Sequence, residues 1–216
     1  MKIVVTGFEP FEGESVNPAW EAVQQLYDTI AGAQIVKAQI PTVFGKANEQ
    51  LKTILAQEQP DVTICVGQAK ESVDIRVERV AINLDDARIP DNEGKQPFDE
   101  PIFADGPAAY FTNLPVKAMV AEMRKVKIPA SVSYSAGTFV CNHIMYGLLY
   151  LIEKQYPNMR GGFIHVPYIP EQVLDKPKTP SMALSMIVQG LQTAITAAVR
   201  YKEDIKRLEE ANSQQP

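Results

Sequence analysis

Apolar and polar residues along this chain follow two repeating patterns, one with the period of a strand and one with the period of a helix. Continuous or alternating apolar runs predict strands at residues 2–6, 33–40, 61–67, 75–83, 131–134 and 161–167. Apolar positions three or four residues apart predict helices at residues 18–30, 45–57, 115–127, 141–156 and 180–208. This alternation favours the α/β class, with a three-layer α/β/α sandwich around a mostly parallel twisted sheet.

The chain has the size and apolar content of one folded unit. With 216 residues and 45% hydrophobic residues, it can bury one sizeable core. We therefore expect a single domain over residues 1–210 and a disordered tail over residues 211–216. The polar loop from residue 85 to about 112 is long for a compact domain, and loops of that length tend to be functional or mobile.

Charge and cysteine content narrow the possible partners. A net charge of −5 without a basic patch argues against nucleic acid or an anionic membrane as a partner. No apolar run reaches the roughly 18 residues that span a bilayer, so we expect a cytoplasmic protein with free thiols. Neither Cys141 with His143 nor the pair Asp85 and Asp86 has the spacing of a metal site, and no metal or other cofactor is expected.

Ligands of parallel sheets collect where the strands end, at their carboxyl edge. The loops that follow Thr6, Gly67, Ser135 and Val166 are expected to share that edge. Gln68, directly after the third predicted strand, is therefore a candidate polar contact for a ligand.

Cys141 is the strongest candidate for chemistry. It follows a strand and a small-residue turn and stands at the predicted start of a helix. Free backbone N–H groups and the positive end of the helix dipole stabilise a thiolate at such a position, and the same N–H groups can hold an oxyanion. The alternative is a buried cysteine that acts as a small hydrophobic residue.

A nucleophilic thiol needs a base, and the chain has two histidines. His143 lies two residues beyond Cys141 on the same helix and points elsewhere, whereas His165 ends a neighbouring strand and can reach the sulfur. Glu78 lies in an apolar strand, where an unpaired carboxylate is costly, so it is the candidate that orients His165.

Two aromatic residues occupy the first turn-rich loop. Phe8 and Phe11 are not needed to form a turn, and they either line a pocket or plug the end of the core. Asn17 precedes Pro18 and predicts a helix start, with Asn17 as its N-cap.

Five separated segments resemble the pyroglutamyl peptidase I family, also called pyrrolidone-carboxylate peptidase, over nearly the whole chain. They occur in that family's order. These are Thr6–Phe11 with Asn17 and Pro18, Glu78–Asn83, Asp86–Asn92, Ser133–Asn142 and Phe163–Pro167.

The resemblance implies a cysteine exopeptidase that needs no cofactor and removes an N-terminal pyroglutamyl residue from peptides through a thioester. The triad it implies is Cys141, His165 and Glu78, the three residues that the chemistry selects. It further implies a homotetramer.

A pyroglutamyl end is an uncharged lactam, which suits a largely apolar pocket with a few groups that can hydrogen-bond an amide. Phe8, Phe11 and Phe139 are expected to flank the ring, while Asn17 and Gln68 bind its amide. Arg88 and the backbone N–H of Cys141 are the expected oxyanion donors.

The chain departs from the family pattern in one loop. Lys70-Glu71-Ser72 stands where the family usually has a small, glycine-rich turn, and Arg76 stands where a Ser or Thr is common. If the changed 69–77 loop blocks the pocket, the alternative function is a non-catalytic small-molecule binder on the same fold. A phosphate-using transferase is disfavoured, because no strand is followed by a glycine-rich phosphate loop.

Overall fold

The computed structural model describes residues 1–70 and 72–207 of the chain. The strands are β1 (Lys2–Phe8), β2 (Thr29–Ile30), β3 (Ala33–Ile40), β4 (Val62–Gln68), β5 (Ile75–Glu78), β6 (Val80–Ile82), β7 (Ala109–Phe111), β8 (Ala130–Ser133) and β9 (Arg160–Val166). The helices are α1 (Pro18–Gln24), α2 (Lys46–Glu58), α3 (Val116–Lys125), α4 (Val140–Lys154) and α5 (Leu184–Arg200), with a short 3₁₀ turn at Pro170–Gln172.

The main sheet has seven strands in the order β2-β3-β1-β4-β9-β5-β8. The central strands β3, β1, β4 and β9 are parallel to one another. β5 runs antiparallel to β9, and β8 is parallel to β5. β2 pairs antiparallel with β3, and β6 and β7 form a separate two-stranded sheet.

Helices cover both faces of this sheet, which confirms the predicted α/β sandwich. Residues of α1, α3 and α5 form one apolar cluster with Ile64 and Val66 of β4. Residues of α2 and α4 form a second cluster with Cys65 of the same strand. Because neighbouring side chains of a strand point to opposite faces, β4 contributes to both clusters and is buried throughout.

One expectation about the ligand edge is wrong. The loops after β1, β4 and β9 share an edge, but β8 runs antiparallel to β9 and its last residue, Ser133, lies level with Phe163, so the loop at Ser135 does not leave from the carboxyl edge of the central strands. The loop still lies beside that edge, because Ala136 and Thr138 line one cleft with His165. Residues 134–139, with Gly137 at φ 77°, then lead the chain to the start of α4. Thr138 fastens this segment, because its hydroxyl donates to the Asp86 carbonyl oxygen at 2.7 Å.

Two predicted elements near the chain's first half have different bounds in the structure. The Asn17 side chain accepts from the Ala19 N–H at 3.0 Å, as expected of an N-cap, but α1 ends at Gln24. The chain pairs instead with the sheet edge through β2, and Tyr27 is 68% exposed. The predicted strand 75–83 divides at Arg79, where the backbone passes from β5 to the separate sheet.

The last helix is shorter than predicted, because both of its ends are bonded to other parts of the chain. Before it, the Met182 N–H donates to the Tyr168 carbonyl oxygen at 2.8 Å. At its end, the Arg160 guanidinium donates to the carbonyl oxygens of Ala198 and Tyr201. The predicted tail 211–216 lies outside the described residues. In the part of the chain that is described, no helix is both long enough and apolar enough to cross a membrane.

Candidate active site

Cys141 is the second residue of α4, at the carboxyl edge of the central strands. Phe139 is the N-cap residue in an extended conformation, and the first-turn N–H groups point away from the helix body. The sulfur rests against Gly67 of β4. A Cβ added to Gly67 would lie 2.9 Å from Cys141 Sγ and 2.7 Å from Phe163 Cζ, so this close approach requires glycine.

His165 and Glu78 meet because of the register between two adjacent strands. Phe163 of β9 lies opposite Glu78 of β5, so Phe163, His165 and Glu78 all point to the same face. His165 Nδ1 is 2.8 Å from Glu78 Oε1, and both side chains are buried. With Nδ1 engaged, the other ring nitrogen is free to act on Cys141, which lines the same cleft as His165.

The electrostatic environment favours a charged imidazole. Burial alone would lower the pKa of His165, but the negative charge and hydrogen bond of Cys141, together with those of Glu78, raise this pKa to about 9. Cys65 contrasts with this pair, since burial raises the pKa of its thiol to about 12. The two cysteines are both free, and they differ in their access to a proton acceptor.

Most of the predicted site residues line one cleft of about 240 Å³. The cleft is lined by Phe11, Gln68, Arg88, Phe139, Cys141 and His165, and also by Lys70, Asp86, Ile89, Ala136 and Thr138. A smaller inner cavity adjoins it, with Phe8, Asn17 and Thr42 in its wall beside Gln68 and Cys141. Glu78 lies behind His165 and does not line either space.

Of the three aromatic candidates, Phe11 and Phe139 line the cleft, whereas Phe8 lies in the core. The rings of Phe11 and Phe139 have centroids 6.1 Å apart, and Phe44 packs edge-on against Phe139 at 5.2 Å. Phe8 is 2% exposed and packs on Phe163 in the core cluster. Phe8 therefore closes the end of the core and also borders the inner cavity, so both interpretations of this residue describe part of its position.

The two amide candidates differ in how much of their hydrogen bonding is satisfied. Asn17 caps α1 through its oxygen, and its nitrogen donates to the Glu9 carbonyl oxygen at 3.0 Å. Gln68 accepts a hydrogen bond from Gln172 at 3.1 Å, whereas its Nε2 is buried without a partner among the described residues. Gln68 thus has a donor left for a ligand, and Asn17 has both of its amide groups engaged.

Cationic side chains stand at the mouth of the cleft. Arg88 has a side chain that is 76% exposed, with Nη2 3.9 Å from Glu12 Oε1, and Lys70 pairs with the same carboxylate. Burial and the nearby charges of Arg88 and Lys176 lower the pKa of Lys70. The atypical loop is therefore fastened to the Phe11 loop through Glu12, and the cleft beside it stays open.

A model of the pyroglutamyl peptidase family matches residues 1–201. The chain belongs to that family. It is 61% identical to the pyrrolidone-carboxylate peptidase of Thermosipho africanus over 204 residues, which cover 94% of this chain and 100% of the relative. It is 57% identical to the pyrrolidone-carboxylate peptidase of Clostridium botulinum, over 95% of this chain and 97% of the relative.

Solved structures of the pyroglutamyl peptidase family have the same fold. The crystal structure of pyroglutamyl peptidase I from Bacillus amyloliquefaciens superposes with a TM-score of 0.93 at 52% identity, over 95% of this chain and 98% of that one. Pyrrolidone carboxyl peptidase from Thermococcus litoralis superposes with a TM-score of 0.92 at 39% identity, with the same coverage. The chain is a cysteine exopeptidase of this family, and none of these matches favours a non-catalytic binder.

In this pyroglutamyl peptidase fold, His143 stabilises the structure through hydrogen bonds at both of its ring nitrogens. Its Nδ1 is 2.8 Å from Asp85 Oδ2, and its Nε2 accepts from the Gly45 N–H at 3.0 Å. Both ring nitrogens are thus bonded away from Cys141, as the helical spacing predicts. Within residues 1–70 and 72–207, no three His, Cys, Asp or Glu side chains are grouped closely enough to hold a metal ion.

Sequence reasoning missed three residues around this site. Gly67 was visible as a glycine inside an apolar strand, a pattern that signals a close approach, and that signal was available in the sequence. Thr42 and Gln172 gave no such signal, because both are ordinary polar residues in loops. Their burial depends on contacts between segments that are far apart in the sequence, such as Thr42 Oγ1 donating to the Glu9 carbonyl oxygen at 3.0 Å.

Proposed function

We propose that this chain hydrolyses the amide bond after an N-terminal pyroglutamyl residue, with Cys141 as nucleophile, His165 as base and acid, and Glu78 as the group that orients His165. The observation that carries the proposal is that His165, held by Glu78 at 2.8 Å, lines one open cleft together with Cys141. The names of the relatives supply the substrate class.

The proposed cycle moves one proton back and forth through His165. The Cys141 thiol gives its proton to His165, and the thiolate attacks the pyroglutamyl carbonyl carbon. The imidazolium then gives that proton to the leaving amine, the C–N bond breaks and a thioester remains. Water attacks the thioester as His165 accepts its proton, and the carboxylic acid leaves as the Cys141 sulfur is released.

The oxyanion of each tetrahedral intermediate needs donors near Cys141. We assign the backbone N–H of Cys141, at the start of α4, because first-turn N–H groups have no acceptor within their own helix. Arg88 is the proposed second donor, since it lines the same cleft and its guanidinium is loosely paired with Glu12 at 3.9 Å.

The lactam ring is proposed to bind deeper than the scissile bond. Phe11 and Phe139 flank it, Phe8 closes the inner wall, and Gln68 donates a hydrogen bond through its free Nε2. Asn17 shapes this wall, since its own amide groups hold α1 and the Glu9 backbone in place. A free amino terminus is disfavoured, because no carboxylate of residues 1–70 or 72–207 lines the inner cavity to pair with it.

The test measures how fast an Ala variant of each cysteine releases a fluorophore from a pyroglutamyl amide. Cys141→Ala is expected to abolish release, whereas Cys65→Ala retains it, because Cys65 is fully buried in the core. Iodoacetamide at neutral pH should label Cys141 faster than free cysteine and leave Cys65 unlabelled. Turnover that survives in Cys141→Ala would exclude the proposed nucleophile.

We further propose that the enzyme acts in the cytoplasm as a homo-oligomer, a tetramer by family resemblance. Sedimentation equilibrium should then give a mass four times the 23.9 kDa of one chain. A mass of one chain at micromolar concentration would contradict the tetramer.

A further inference from the structure

The side-chain amide of Gln68 has one defined orientation, with its oxygen bonded and its nitrogen free in the described part of the chain, and Gln68 alone does not determine which end is which. An amide side chain can present either its oxygen or its nitrogen to a cavity, and the two ends have opposite hydrogen-bonding character. Here the nitrogen is the end that is left unpaired, and Gln68 is only 6% exposed. We propose that Gln172 is a positioning residue that holds Gln68 in this orientation and so makes the pocket select a lactam carbonyl oxygen. The proposal rests on the function proposed above.

The orientation of Gln172 is set by backbone groups that cannot reverse their roles. The Ile169 N–H can only donate, and it donates to Gln172 Oε1 at 3.2 Å. The Val16 carbonyl oxygen can only accept, and it lies 3.4 Å from Gln172 Nε2. Gln172 Nε2 is therefore a donor toward Gln68, and it bonds Gln68 Oε1 at 3.1 Å.

Two charged side chains strengthen this arrangement. Glu14 Oε2 accepts from Gln172 Nε2 at 3.3 Å, which again requires the nitrogen at that position. Lys176 Nζ contacts both Glu14 Oε1 and the Gln172 carbonyl oxygen at 2.6 Å. Gln172 is itself buried, so water does not readily replace these partners. The turn after β9 thus holds the loop that carries Phe11 and the Gln68 amide together.

The consequence for specificity follows from what Gln68 presents. Its free N–H matches the carbonyl oxygen of a 5-oxoproline ring. An N-terminal proline has a methylene group at that position, so its binding would leave a buried donor without an acceptor. Gln172 is absent from the walls of the cleft and of the inner cavity, so its proposed role acts through Gln68.

The test uses variants in which a methionine replaces a glutamine, because methionine has a similar length and cannot donate through nitrogen. Gln172→Met should lower kcat/KM for a pyroglutamyl amide by roughly tenfold to a hundredfold, the range expected for one buried hydrogen bond. The matched control is Gln189→Met on the exposed surface of α5, which is expected to stay within about twofold of the unmodified enzyme, the scatter usual for exposed substitutions.

A double-mutant cycle separates positioning from general damage. If Gln172 acts through Gln68, then Gln172→Met should change kcat/KM by less than about threefold in a Gln68→Met background, since coupled residues are not additive. Iodoacetamide labelling of Cys141 should proceed at an unchanged rate in Gln172→Met. Equal losses in both backgrounds, or labelling that slows together with turnover, would overturn the proposal.

A second variant covers the case in which Gln172→Met does not fold. Gln172→Glu combined with Glu14→Gln keeps the shape and avoids two facing carboxylates, but it places an acceptor against Gln68, so Gln68 should turn and present its oxygen to the lactam oxygen. Its loss of kcat/KM should be at least as large as that of Gln68→Met, and activity equal to the unmodified enzyme would overturn the proposal. Failure of the unmodified enzyme to cleave the pyroglutamyl amide would instead remove the proposed function as well.

Discussion

His165 lies between two groups that stabilise its positive charge, in a position where burial opposes that charge. The Cys141 and Glu78 interactions outweigh burial and raise its pKa to about 9. This balance favours the imidazolium form of His165 near neutral pH, the form that holds a proton for the leaving amine in the proposed cycle.

The contribution of Glu78 to this balance predicts a change in pH dependence. Glu78→Gln keeps the shape and an acceptor oxygen but removes the negative charge, so the pKa of His165 should fall from about 9. The imidazolium is present below its pKa and lost above it. The alkaline limb of kcat/KM should therefore lie near pH 9 in the unmodified enzyme and move toward neutral pH in the variant.

The measurement is a profile of kcat/KM from pH 6 to 10 for both proteins. Glu58→Gln is the control, because Glu58 pairs with Lys2 at the other end of the sheet. An alkaline limb at the same pH in Glu78→Gln and the unmodified enzyme would show that the carboxylate charge does not support His165.

Gly67 gives a prediction about steric fit. In Gly67→Ala, the new methyl group would meet Cys141 Sγ at 2.9 Å and Phe163 at 2.7 Å, so the sulfur has to move. A displacement of this kind near the reacting atoms is expected to lower kcat/KM by about a hundredfold. Overpacking should also reduce the free energy of unfolding by about 1–3 kcal/mol.

Gly161→Ala separates the two effects of that substitution. Its methyl group would meet Ile152 at 2.8 Å and Leu148 at 2.9 Å, at the start of β9 and away from the cleft. We expect this control to lose stability while it keeps most of its activity. If both variants lose the same share of activity, the effect of Gly67→Ala is one of general packing and not of the Cys141 position.

Among elements, the start of α3 depends on a residue far away in the chain. No side chain of the neighbouring residues caps this helix, and Asp204 takes that role instead. Its carboxylate accepts from the N–H groups of Lys117 and Ala118 at 3.0 Å and lies 3.5 Å from Arg79 Nη2. The segment after α5 thus caps the start of α3 and contacts Arg79, where β5 passes into β6.

Loss of this cap should be visible as a change in stability alone. Asp204→Ala is expected to lower the free energy of unfolding by about 1–2 kcal/mol, as for other lost helix caps, and the Tm by about 2–8 °C. Activity at 25 °C should be unchanged, because Asp204 lies outside the cleft. Thermal unfolding followed by circular dichroism measures this, with the exposed Asp175→Ala as the control; equal Tm values in the two variants would contradict the capping role.

The same elements show where sequence patterns stop being informative. The Asn17-Pro18 signal correctly gave the start of α1, because an N-cap is a local interaction. The end of α1 at Gln24 was not predictable from the spacing of apolar residues. The residues that follow include Thr29–Ile30, which pairs with β3 at the edge of the sheet, and that pairing is not a local interaction. Gln172 was not predictable for the same reason, because its role depends on three segments that meet only in the folded chain: the loop at residues 14–16, the end of β4 and the turn after β9.

For the molecule as a whole, the parallel centre of the sheet was predictable and its far side was not. β1 and β4 are almost wholly apolar runs, which is typical of strands covered on both faces. Alternation along a strand identifies a strand but carries no information about its direction, so β8 was expected to end at the ligand edge. The pairing of Glu78 with His165 was still predictable, since it followed from the chemistry of an imidazole and a buried carboxylate.

This architecture predicts that the free energy of opening, as measured by amide hydrogen exchange, differs between the strands. Amide hydrogens in the middle of β1, β4 and β9 are bonded on both sides within the buried centre, and they should exchange only through global unfolding. The two-stranded β6–β7 sheet and the edge strand β8 should exchange through local opening, with lower free energies. Gly67 and His165 would then lie on the most protected strands, and Glu78 at the border of the less protected region. Hydrogen exchange followed by mass spectrometry measures this order, and protection of β6–β7 equal to that of β4 would contradict it.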